Sequence, residues 1–476
     1  MIAPLWAFAI LAATVFLFTL LGVLHVRRRG QTLDDHLVCR NRTGAGAGIA
    51  TVTASAIGAW VLFSPAETAT WAGITGIAGY ALGQAAPLLL LAWLGPRLRK
   101  RMPEGYSLNE YAQRRYGTPM RLFTLGIILF YLFVFLAAEI TAIALAVRLI
   151  AGVPLFWTAA VVAAGTVAYT SYGGLRASIF TDRVQFALIL PLLAAVFLGA
   201  LAQTGGVSGA FDRVAAESPH LLSWRHAAGV EFGVTLIIAI AAANLFHQGF
   251  WQRVYSARDR TTVRRSFTFS GIAVIPIVFA AGGFGFMALS RGLEPGQASA
   301  AFFALVAGTF PPALTVVVLV LALALVMSSA DTLLNGMASA ILSELSLRAP
   351  AADSGRRLRR ARLWTVLLAL PAVFIAARGY SVLYLFLIAD LVCAGAAVPV
   401  FYGLFEPRHT ARRALTAAVA GIAIGALFFP TPDIKPWLAL PGAGRFLVSF
   451  SAALLVSAAL CFRLRASEPR PVAPDK

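Results

Sequence analysis

The sequence contains little charge, and this shortage indicates the class of the protein. Only 12% of the 476 residues are charged, 59% are hydrophobic, and the mean hydropathy is +0.80. A soluble globule of this length would need much more polar surface to face water. The composition therefore excludes a soluble protein and predicts an all-α polytopic membrane protein.

Cysteine and histidine are also scarce. The three cysteines, Cys39, Cys393 and Cys461, are odd in number and fall on the predicted inner side or inside predicted helices, which argues against a disulfide framework. The six histidines are dispersed and form neither an HExxH motif nor a Cys/His cluster. A membrane metalloenzyme would therefore have no visible ligand set. We expect no enzymatic activity and no organic cofactor.

Long hydrophobic runs are abundant. The first run, residues 4–24, has no Lys or Arg before it and is followed directly by Arg27, Arg28 and Arg29. This charge order is the reverse of that in a signal peptide, so we expect a retained membrane helix within residues 1–25, with its N-terminus outside. Dividing the rest of the chain into spans of about 20 apolar residues predicts about 12 more helices, hence about 13 in all. Their predicted ranges are 48–68, 70–95, 121–149, 154–172, 180–203, 230–250, 267–290, 312–346, 362–378, 380–405, 412–429 and 442–462.

The basic residues test this division independently. If the N-terminus lies outside, the predicted inner segments hold 32 of the 39 Lys and Arg residues. These segments are 26–47, 96–121, 173–183, 251–266, 347–362, 406–413 and the tail 463–476, which we expect to be disordered. Because positive residues concentrate on the cytoplasmic side of a membrane, the net charge of +19 indicates topology rather than nucleic-acid binding. We expect a protein of the plasma (inner) membrane with a cytoplasmic C-terminus.

Two of the hydrophobic runs are interrupted by polar and helix-breaking residues. The interruptions lie within residues 53–73 and 241–253. Broken helices at matching positions of two halves indicate the central site of an inverted-repeat transporter. Each break opens a group of five spans, and an odd number of spans makes the second group insert with inverted topology. The predicted units are the extra helix 1–25, the core repeats 48–203 and 230–405, and the C-terminal helix pair 412–462.

Three motifs resemble those of a known family, the sodium:solute symporters. The segment SYGGLRASIFTDRVQF (171–186) is similar to the family's signature of Gly-Gly, a small residue and Thr-Asp-x-x-Gln at the start of the sixth helix. The segment WQRVYSARDRTTVRRSF (251–267) resembles the basic loop after the seventh helix, and MSSADTLLN (327–335) resembles the Met-Ser-Thr-Ala-Asp-Ser helix. The resemblance covers most of residues 48–405. It implies the five-plus-five inverted-repeat fold of the leucine-transporter type, with alternating access driven by an ion gradient.

The resemblance also implies a sodium site. In this family a sodium ion lies where the first core helix crosses the eighth. Carried over residue by residue, its hydroxyl ligands would be Ser328 and Ser329, and its carbonyl ligands would come from Ala54, Ile57 and Leu325. Neutral oxygens bind this hard cation weakly enough to release it in each cycle. The alternative is that the two serines only hydrogen-bond to carbonyls one turn earlier.

Two aspartates are candidates for the path along which the cation leaves. Asp182 corresponds to the acid of the Thr-Asp signature and is expected at the inner mouth of a helix, near its N-terminus. There it would attract the cation, or it would only complement the helix dipole. Asp331 follows Ser328 by three residues and lies on nearly the same helix face. It either organises the ion path or pairs with an arginine of the inner loops.

The candidates for solute binding are polar, aromatic or small residues at membrane depth. They are Ser55, Gly58, Trp60 and Glu67 on the first core helix, Glu139 on the third, Asn244, His247 and Gln248 on the sixth, and Asp390 on the tenth. Glu139 is the most conspicuous, because an acid inside a membrane usually serves function. The alternative is a protonated structural glutamate. His247 fits a hydrogen-bonded core histidine as well, and Trp60 fits core packing.

The leading interpretation is a transporter that couples a small polar organic solute to sodium. Some family members carry an acid where Ala56 stands, which leaves open a proton-coupled carrier that uses Glu139 or Asp390. A transporter-like membrane sensor is a third possibility. The expected partners are a small-molecule solute, the coupling ion Na⁺ and the lipid bilayer, with no nucleic acid and no obligate protein partner.

Overall fold

The chain is almost entirely helical in a computed structural model that describes residues 3–27, 32–293, 295–348 and 354–463. Within these ranges it forms 17 α-helices and no β-strand. The helices are α1 (Pro4–Arg27), α2 (Leu33–Leu37), α3 (Ala45–Ala56), α4 (Ser64–Arg101), α5 (Leu108–Tyr116), α6 (Thr118–Ala151), α7 (Leu155–Gln203), α8 (Gly206–Glu217), α9 (Ala227–Asn244), α10 (Gln248–Ser256), α11 (Arg260–Ser290), α12 (Ala301–Thr309), α13 (Pro312–Arg348), α14 (Ser354–Ala376), α15 (Val382–Tyr402), α16 (Ala411–Phe428) and α17 (Phe446–Arg463). Short 3₁₀ turns cover Ala59–Leu62, Pro219–Leu222 and Pro295–Ala300. The all-α prediction is confirmed.

Every predicted membrane span overlaps one or two of these helices. Nine helices in the described ranges are long and apolar enough to cross a bilayer. Two of them, α4 and α7, each contain a single non-helical glycine and take in residues of two predicted spans. The predicted count of 13 is therefore not confirmed, and the division into repeats 48–203 and 230–405 stays a prediction. The predicted tail lies outside the described residues beyond Arg463.

The helices α4 and α7 each bend at one glycine, which we refer to as a hinge. Gly73 (φ 64°, ψ −157°) and Gly174 (φ 54°, ψ −149°) adopt left-handed backbone angles that other residues rarely tolerate. A Cβ on Gly73 would overlap the carbonyl of Leu221, and one on Gly174 would overlap His36.

Burial lowers the pKa of the His36 imidazole to about 4, so its ring packs against Gly174 uncharged. Residues 173–183, expected as an inner loop, are helical apart from this one glycine.

Both predicted helix interruptions are observed. The helix α3 ends at Ala56, Ile57 is extended (φ −110°, ψ 122°), and α4 begins only at Ser64. In the second interruption, α9 ends at Asn244 and α10 begins at Gln248. A helix end inside the membrane leaves backbone groups without intrahelical partners, and transporters place solute and ion sites at such ends.

The first break faces two long helices. The 3₁₀ turn Ala59–Leu62 contacts both α6 and α13, and α13 also packs against α7 and α10. Polar side chains on α13 and α6 therefore meet the broken end of α3.

Four short helices were not predicted. They are α2, α5, α8 and α12, which have 5, 9, 12 and 9 residues and lie in segments expected to be loops. A search for membrane spans misses them, because about 20 apolar residues are needed to cross a bilayer.

Candidate functional site

The break in α3 lies against the carboxylate of Glu139. This side chain, on α6, is fully buried, and its Oε2 accepts hydrogen bonds from the Ala59 N–H (2.7 Å) and from Ser329 Oγ (2.6 Å). Its Oε1 has no hydrogen-bond partner among the described residues. A Cβ on Gly58 would overlap both carboxylate oxygens, so a larger residue here would force the Glu139 side chain to shift.

Ser329 connects this carboxylate to the residues predicted to hold sodium. Its hydroxyl also lies 3.2 Å from the carbonyl of Leu325, one turn earlier. Ala54 is in the last turn of α3 and Ile57 directly follows the helix, so their carbonyls belong to a helix end that lacks intrahelical partners. Ser328 differs, because its hydroxyl donates to Asp182. The structure thus brings Ser329 and Leu325 to Glu139, which the sequence had assigned to the solute.

Asp182 does not lie where it was predicted. It is fully buried inside α7 and is not at a helix N-terminus, because it lies about two helical turns beyond the bend at Gly174. Its Oδ2 forms an ion pair with Arg253 Nη2 (2.8 Å) and accepts a hydrogen bond from Thr51 Oγ1. Its Oδ1 accepts one from Ser328 Oγ (2.7 Å). The helix-dipole interpretation of Asp182 was therefore wrong.

Asp331 is surrounded by hydroxyl groups. Its oxygens accept hydrogen bonds from Tyr169 OH (2.9 Å), Ser178 Oγ (2.9 Å), Thr181 Oγ1 (3.3 Å) and Thr332 Oγ1 (3.2 Å). It is fully buried, and in the described part of the chain it forms no ion pair with an arginine. Hydroxyl donors, rather than a basic residue of the inner loops, are its partners.

Arg253 links Asp182 to the hydroxyl groups around Asp331, and its role was not predicted from the sequence. From α10, its Nη2 donates to Thr332 Oγ1 (2.8 Å) and Ser178 Oγ (3.2 Å), and its Nε donates to Thr51 Oγ1 (3.1 Å). We refer to this cluster as the inner network; it consists of Thr51, Ser178, Asp182, Arg253, Ser328, Asp331 and Thr332. The one available signal was that Arg253 lies in an aromatic run, FWQRVY, instead of a solvated loop.

Three of the predicted solute residues lie elsewhere. Ser55 belongs with the inner network, since its Oγ is 3.0 Å from Thr332 Oγ1. Gln248 accepts a hydrogen bond from the Leu108 N–H (3.2 Å) and so ties α10 to the start of α5. His247 stacks on the ring of Phe250, with 4.4 Å between ring centroids. None of the three lines the central cavity described next.

Trp60, Asn244 and Asp390 come together around a small central cavity. Trp60 stacks on Tyr80 (5.4 Å between ring centroids), and Asn244 Oδ1 accepts a hydrogen bond from Tyr131 OH (3.3 Å). The cavity measures about 20 Å³, which leaves room for about one water molecule. Asp390 faces it without a hydrogen bond or an ion pair to any described residue.

A second cavity adjoins the first on the side predicted to be outside. Its volume is about 710 Å³, and Leu383 and Leu387 line both cavities. Glu67 lies in its wall, as do Glu231 and Arg445, which form an ion pair (2.6 Å). We refer to this cavity as the vestibule.

Comparison with known proteins identifies the family. The model of the sodium:solute symporter family matches residues 36–421, which is most of the chain. The chain belongs to the sodium:solute symporter family. This confirms the resemblance seen in the sequence, and it makes the chain a multi-pass membrane transporter rather than an enzyme.

This symporter-family chain resembles two curated transporters. It is 26% identical over 386 residues to the spermidine transporter DUR31 of Candida albicans, covering 79% of this chain and 71% of that protein. It is 22% identical over 400 residues to the urea-proton symporter DUR3 of Oryza sativa subsp. japonica, covering 74% of this chain and 54% of that one. The chain thus spans about half the length of the rice protein.

Solved symporters share its fold. A Na⁺-coupled sialic acid symporter in a substrate-bound, outward-open state superposes with a TM-score of 0.81 at 18% identity, covering 97% of this chain and 98% of the other. Mhp1, a nucleobase-cation-symport-1 family transporter in a closed conformation, gives a TM-score of 0.61 at 15% identity, covering 91% and 96%. These likenesses confirm the predicted fold of the leucine-transporter type.

Proposed function

We propose that this symporter-family member carries a small organic solute together with one monovalent cation, by alternating access, and that the cation binds beside Glu139. The observation that carries the proposal is the Glu139 carboxylate, fully buried at the broken end of α3 and without a basic partner in the described ranges. An isolated charge at this depth is costly. A cation or a proton therefore has to accompany it.

Sodium is the first candidate. It takes oxygen ligands, and Glu139 Oε1 has no hydrogen-bond partner among the described residues. Ser329 and the Leu325 carbonyl adjoin this carboxylate, and the carbonyls of Ala54 and Ile57 lie at the same broken helix end. The family description and the sodium-coupled neighbour of the same fold support this choice.

A proton is the second candidate, and Glu139 itself favours it. A buried carboxylate can carry a proton without any other ligand, and the hydroxyl of Ser329 would still donate to it. The rice relative is named as a proton symporter. Ala56 stands where some family members carry an acid, so Glu139 would be the acid nearest the break.

The inner network lies on the proposed path by which the cation leaves to the inside. Ser328 and Ser329 are neighbours on α13, and their hydroxyls donate to Asp182 and Glu139, respectively. The cation site therefore adjoins the inner network. Release to the inside would require the Arg253–Asp182 ion pair to separate, because this pair joins α10 to α7. Once this pair has separated, Asp182 and Asp331 would both attract the leaving cation.

The solute would bind in the central cavity, next to Trp60 and Asn244. Two relatives are named for spermidine and for urea, so we propose a small nitrogen-containing solute. The central cavity holds only about 20 Å³ and the vestibule about 710 Å³, so a solute arriving from the vestibule would have to displace Leu383 and Leu387. Among the other predicted solute residues, Gly58 would act indirectly, by letting Glu139 approach the break.

The proposed orientation in the plasma membrane places the N-terminus outside and the C-terminus in the cytoplasm. It follows from the distribution of the basic residues. A cysteine replacing the exposed Ser208 should react with an impermeant thiol reagent in intact cells, and one replacing the exposed Arg258 should not. The opposite labelling pattern would reverse the orientation.

The test of coupling is uptake into proteoliposomes that contain the purified protein. Labelled spermidine and labelled urea are offered with an inward sodium gradient at equal pH, or with an inward proton gradient without sodium. Either the sodium gradient or the proton gradient should drive accumulation of a labelled solute. Glu139→Gln should abolish this accumulation. Glu104→Gln is the matched control, because that carboxylate is 80% exposed. Accumulation that needs neither gradient, or that survives Glu139→Gln, would refute the proposal.

A further inference from the structure

Two carboxylates along the solute path have no partner in the described part of the chain. Asp390 is only 5% exposed and faces the central cavity. Glu67 is partly buried in the wall of the vestibule. The other buried carboxylates of the described residues all have a hydrogen bond or an ion pair; they are Asp35, Glu110, Glu139, Asp182, Asp331 and Glu344.

The linings of both cavities offer these carboxylates, when they are ionised, no unpaired positive partner among the described residues. No Lys or Arg lines the central cavity among the described residues. In the vestibule, Arg445 is held by Glu231 through two hydrogen bonds of 3.0 Å and 2.6 Å. That pair is neutral as a whole, so Glu67 and Asp390 each remain without a positive partner. A solute that leaves them unpaired would leave the cost of burying charge unmet.

Aromatic rings surround Asp390. The central cavity is lined by Trp60, Tyr80, Tyr131, Phe135 and Phe386. The ring of Trp60 stacks on that of Tyr80, and Phe135 meets Phe386 edge to face at 4.8 Å between centroids. Aromatic faces attract ammonium groups. A carboxylate among aromatic faces therefore matches an organic ammonium better than a neutral amide or a sugar.

The two carboxylates line two cavities that share part of their walls. Leu383 and Leu387 line both cavities, Asp390 lines the central cavity and Glu67 lines the vestibule. We propose that the solute is an organic cation with two amino groups on a flexible chain, one ammonium binding at Asp390 and the other at Glu67. The inference rests on the proposed function, since it takes the two cavities as the path of the solute.

Binding to the purified protein in detergent tests this directly. Calorimetric titration compares a linear monoamine, linear α,ω-diamines of increasing chain length, and urea. The best diamine should bind about tenfold more tightly than a monoamine of equal carbon number, which corresponds to about 1.4 kcal/mol. Affinity should pass through an optimum as the chain lengthens, and urea should bind more weakly than either amine.

Two variants assign the two ends of the ligand. Asp390→Asn should weaken the binding of monoamines and diamines alike. Glu67→Gln should remove only the diamine advantage, whereas the exposed control Glu104→Gln should preserve it. If Asp390 and Glu67 only carried protons, the preference for diamines would not depend on Glu67.

The comparison of ligands on the unchanged protein decides the proposal even if a variant fails to fold. Equal affinity for monoamine and diamine, or urea binding as tightly as the best diamine, would overturn it. Because these titrations use no ion gradient, they stand apart from the uptake test. Absent gradient-driven uptake would refute symport, and the ranking of the amines would still decide the nature of the ligand.

Discussion

Asp182 and Asp331 in the inner network, and Asp390 and Glu67 in the walls of the two cavities, are carboxylates with very different surroundings. Asp182 pairs with Arg253, and Asp331 accepts four hydroxyl hydrogen bonds. Asp390 and Glu67 have no such partner in the described ranges and face cavities instead. The first two carboxylates have partners within the protein, and we propose that the last two bind the solute.

Depth in the membrane does not by itself identify an acidic side chain that binds a ligand. All four side chains are buried or partly buried, but only two are without partners. Fully satisfied polar clusters hold elements in place, and here the cluster ties α3, α7, α10 and α13 together. Glu139 lies between the two cases, because it accepts two hydrogen bonds but has no cationic partner among the described residues.

Removing Arg253 should have the largest effect on stability. Arg253→Met leaves Asp182 buried without its cation, and breaking a buried pair in this way costs about 3–5 kcal/mol. The melting temperature of the purified protein should fall sharply. Arg264→Met, at an exposed position on α11, is the matched control. In Arg253→Met/Asp182→Asn, part of the loss should be recovered, because no charge is then left unpaired. Unchanged melting of Arg253→Met would mean that the inner network does not hold these helices.

A methyl group at the break should have the next largest effect. In Gly58→Ala the new Cβ overlaps the carboxylate of Glu139, and overpacking of this kind typically costs about 1–3 kcal/mol. We expect the protein to remain folded but to lose gradient-driven uptake, because Glu139 is displaced. Gly126→Ala on α6, where a Cβ meets no atom within 4 Å, should behave as wild type. Normal uptake by Gly58→Ala would separate Glu139 from coupling.

The two neighbouring serines should separate binding from structure. Ser329→Ala removes the hydroxyl beside Glu139, so it should raise the cation concentration for half-maximal uptake several-fold with little change in melting temperature. Ser328→Ala removes a hydrogen bond to Asp182, so it should lower the melting temperature and leave the half-maximal cation concentration nearly unchanged. Uptake curves and melting curves of both variants measure the contrast. Identical behaviour would show that the two hydroxyls serve one site.

The smallest effect is expected at the vestibule rim. Glu231 and Arg445 form an ion pair, but their side chains are 31% and 58% exposed. Exposed pairs contribute little to stability, so Arg445→Gln should leave the melting temperature within error of wild type. A clear fall in melting temperature would mean that this pair holds α9 against α17.

Much of the fold could be predicted from the sequence. Hydrophobic length and basic residues give the spans, and Gly58, Asn244 and their neighbours mark the two broken helices. The hinge at Gly174 was missed, because a charged, glycine-containing segment looks the same whether it forms a loop or continues a helix. Because residues 173–183 were expected to form a loop, Asp182 was predicted near a helix N-terminus instead of inside α7.

The candidate site was less predictable, because its pairs come from distant parts of the chain. Arg253 is 71 residues from Asp182, and Glu139 is 80 residues from Ala59. Sequence motifs gave Ser328 and Ser329 the same role, yet adjacent residues on a helix point in different directions and reach different carboxylates. Only the packing of α6, α7 and α10 around α13 shows which acid each serine meets.

Solute-driven cation entry is the sharpest test of whether a cation at Glu139 is coupled to the solute. Proteoliposomes with the purified protein are given an inward gradient of spermidine, with no ion gradient, and the entry of labelled sodium and the change in internal pH are recorded. With wild-type protein, spermidine should draw in sodium or protons. Glu139→Gln should abolish this entry while its melting temperature stays unchanged. Spermidine entry without either cation, or equal cation entry with Glu139→Gln, would contradict this coupling.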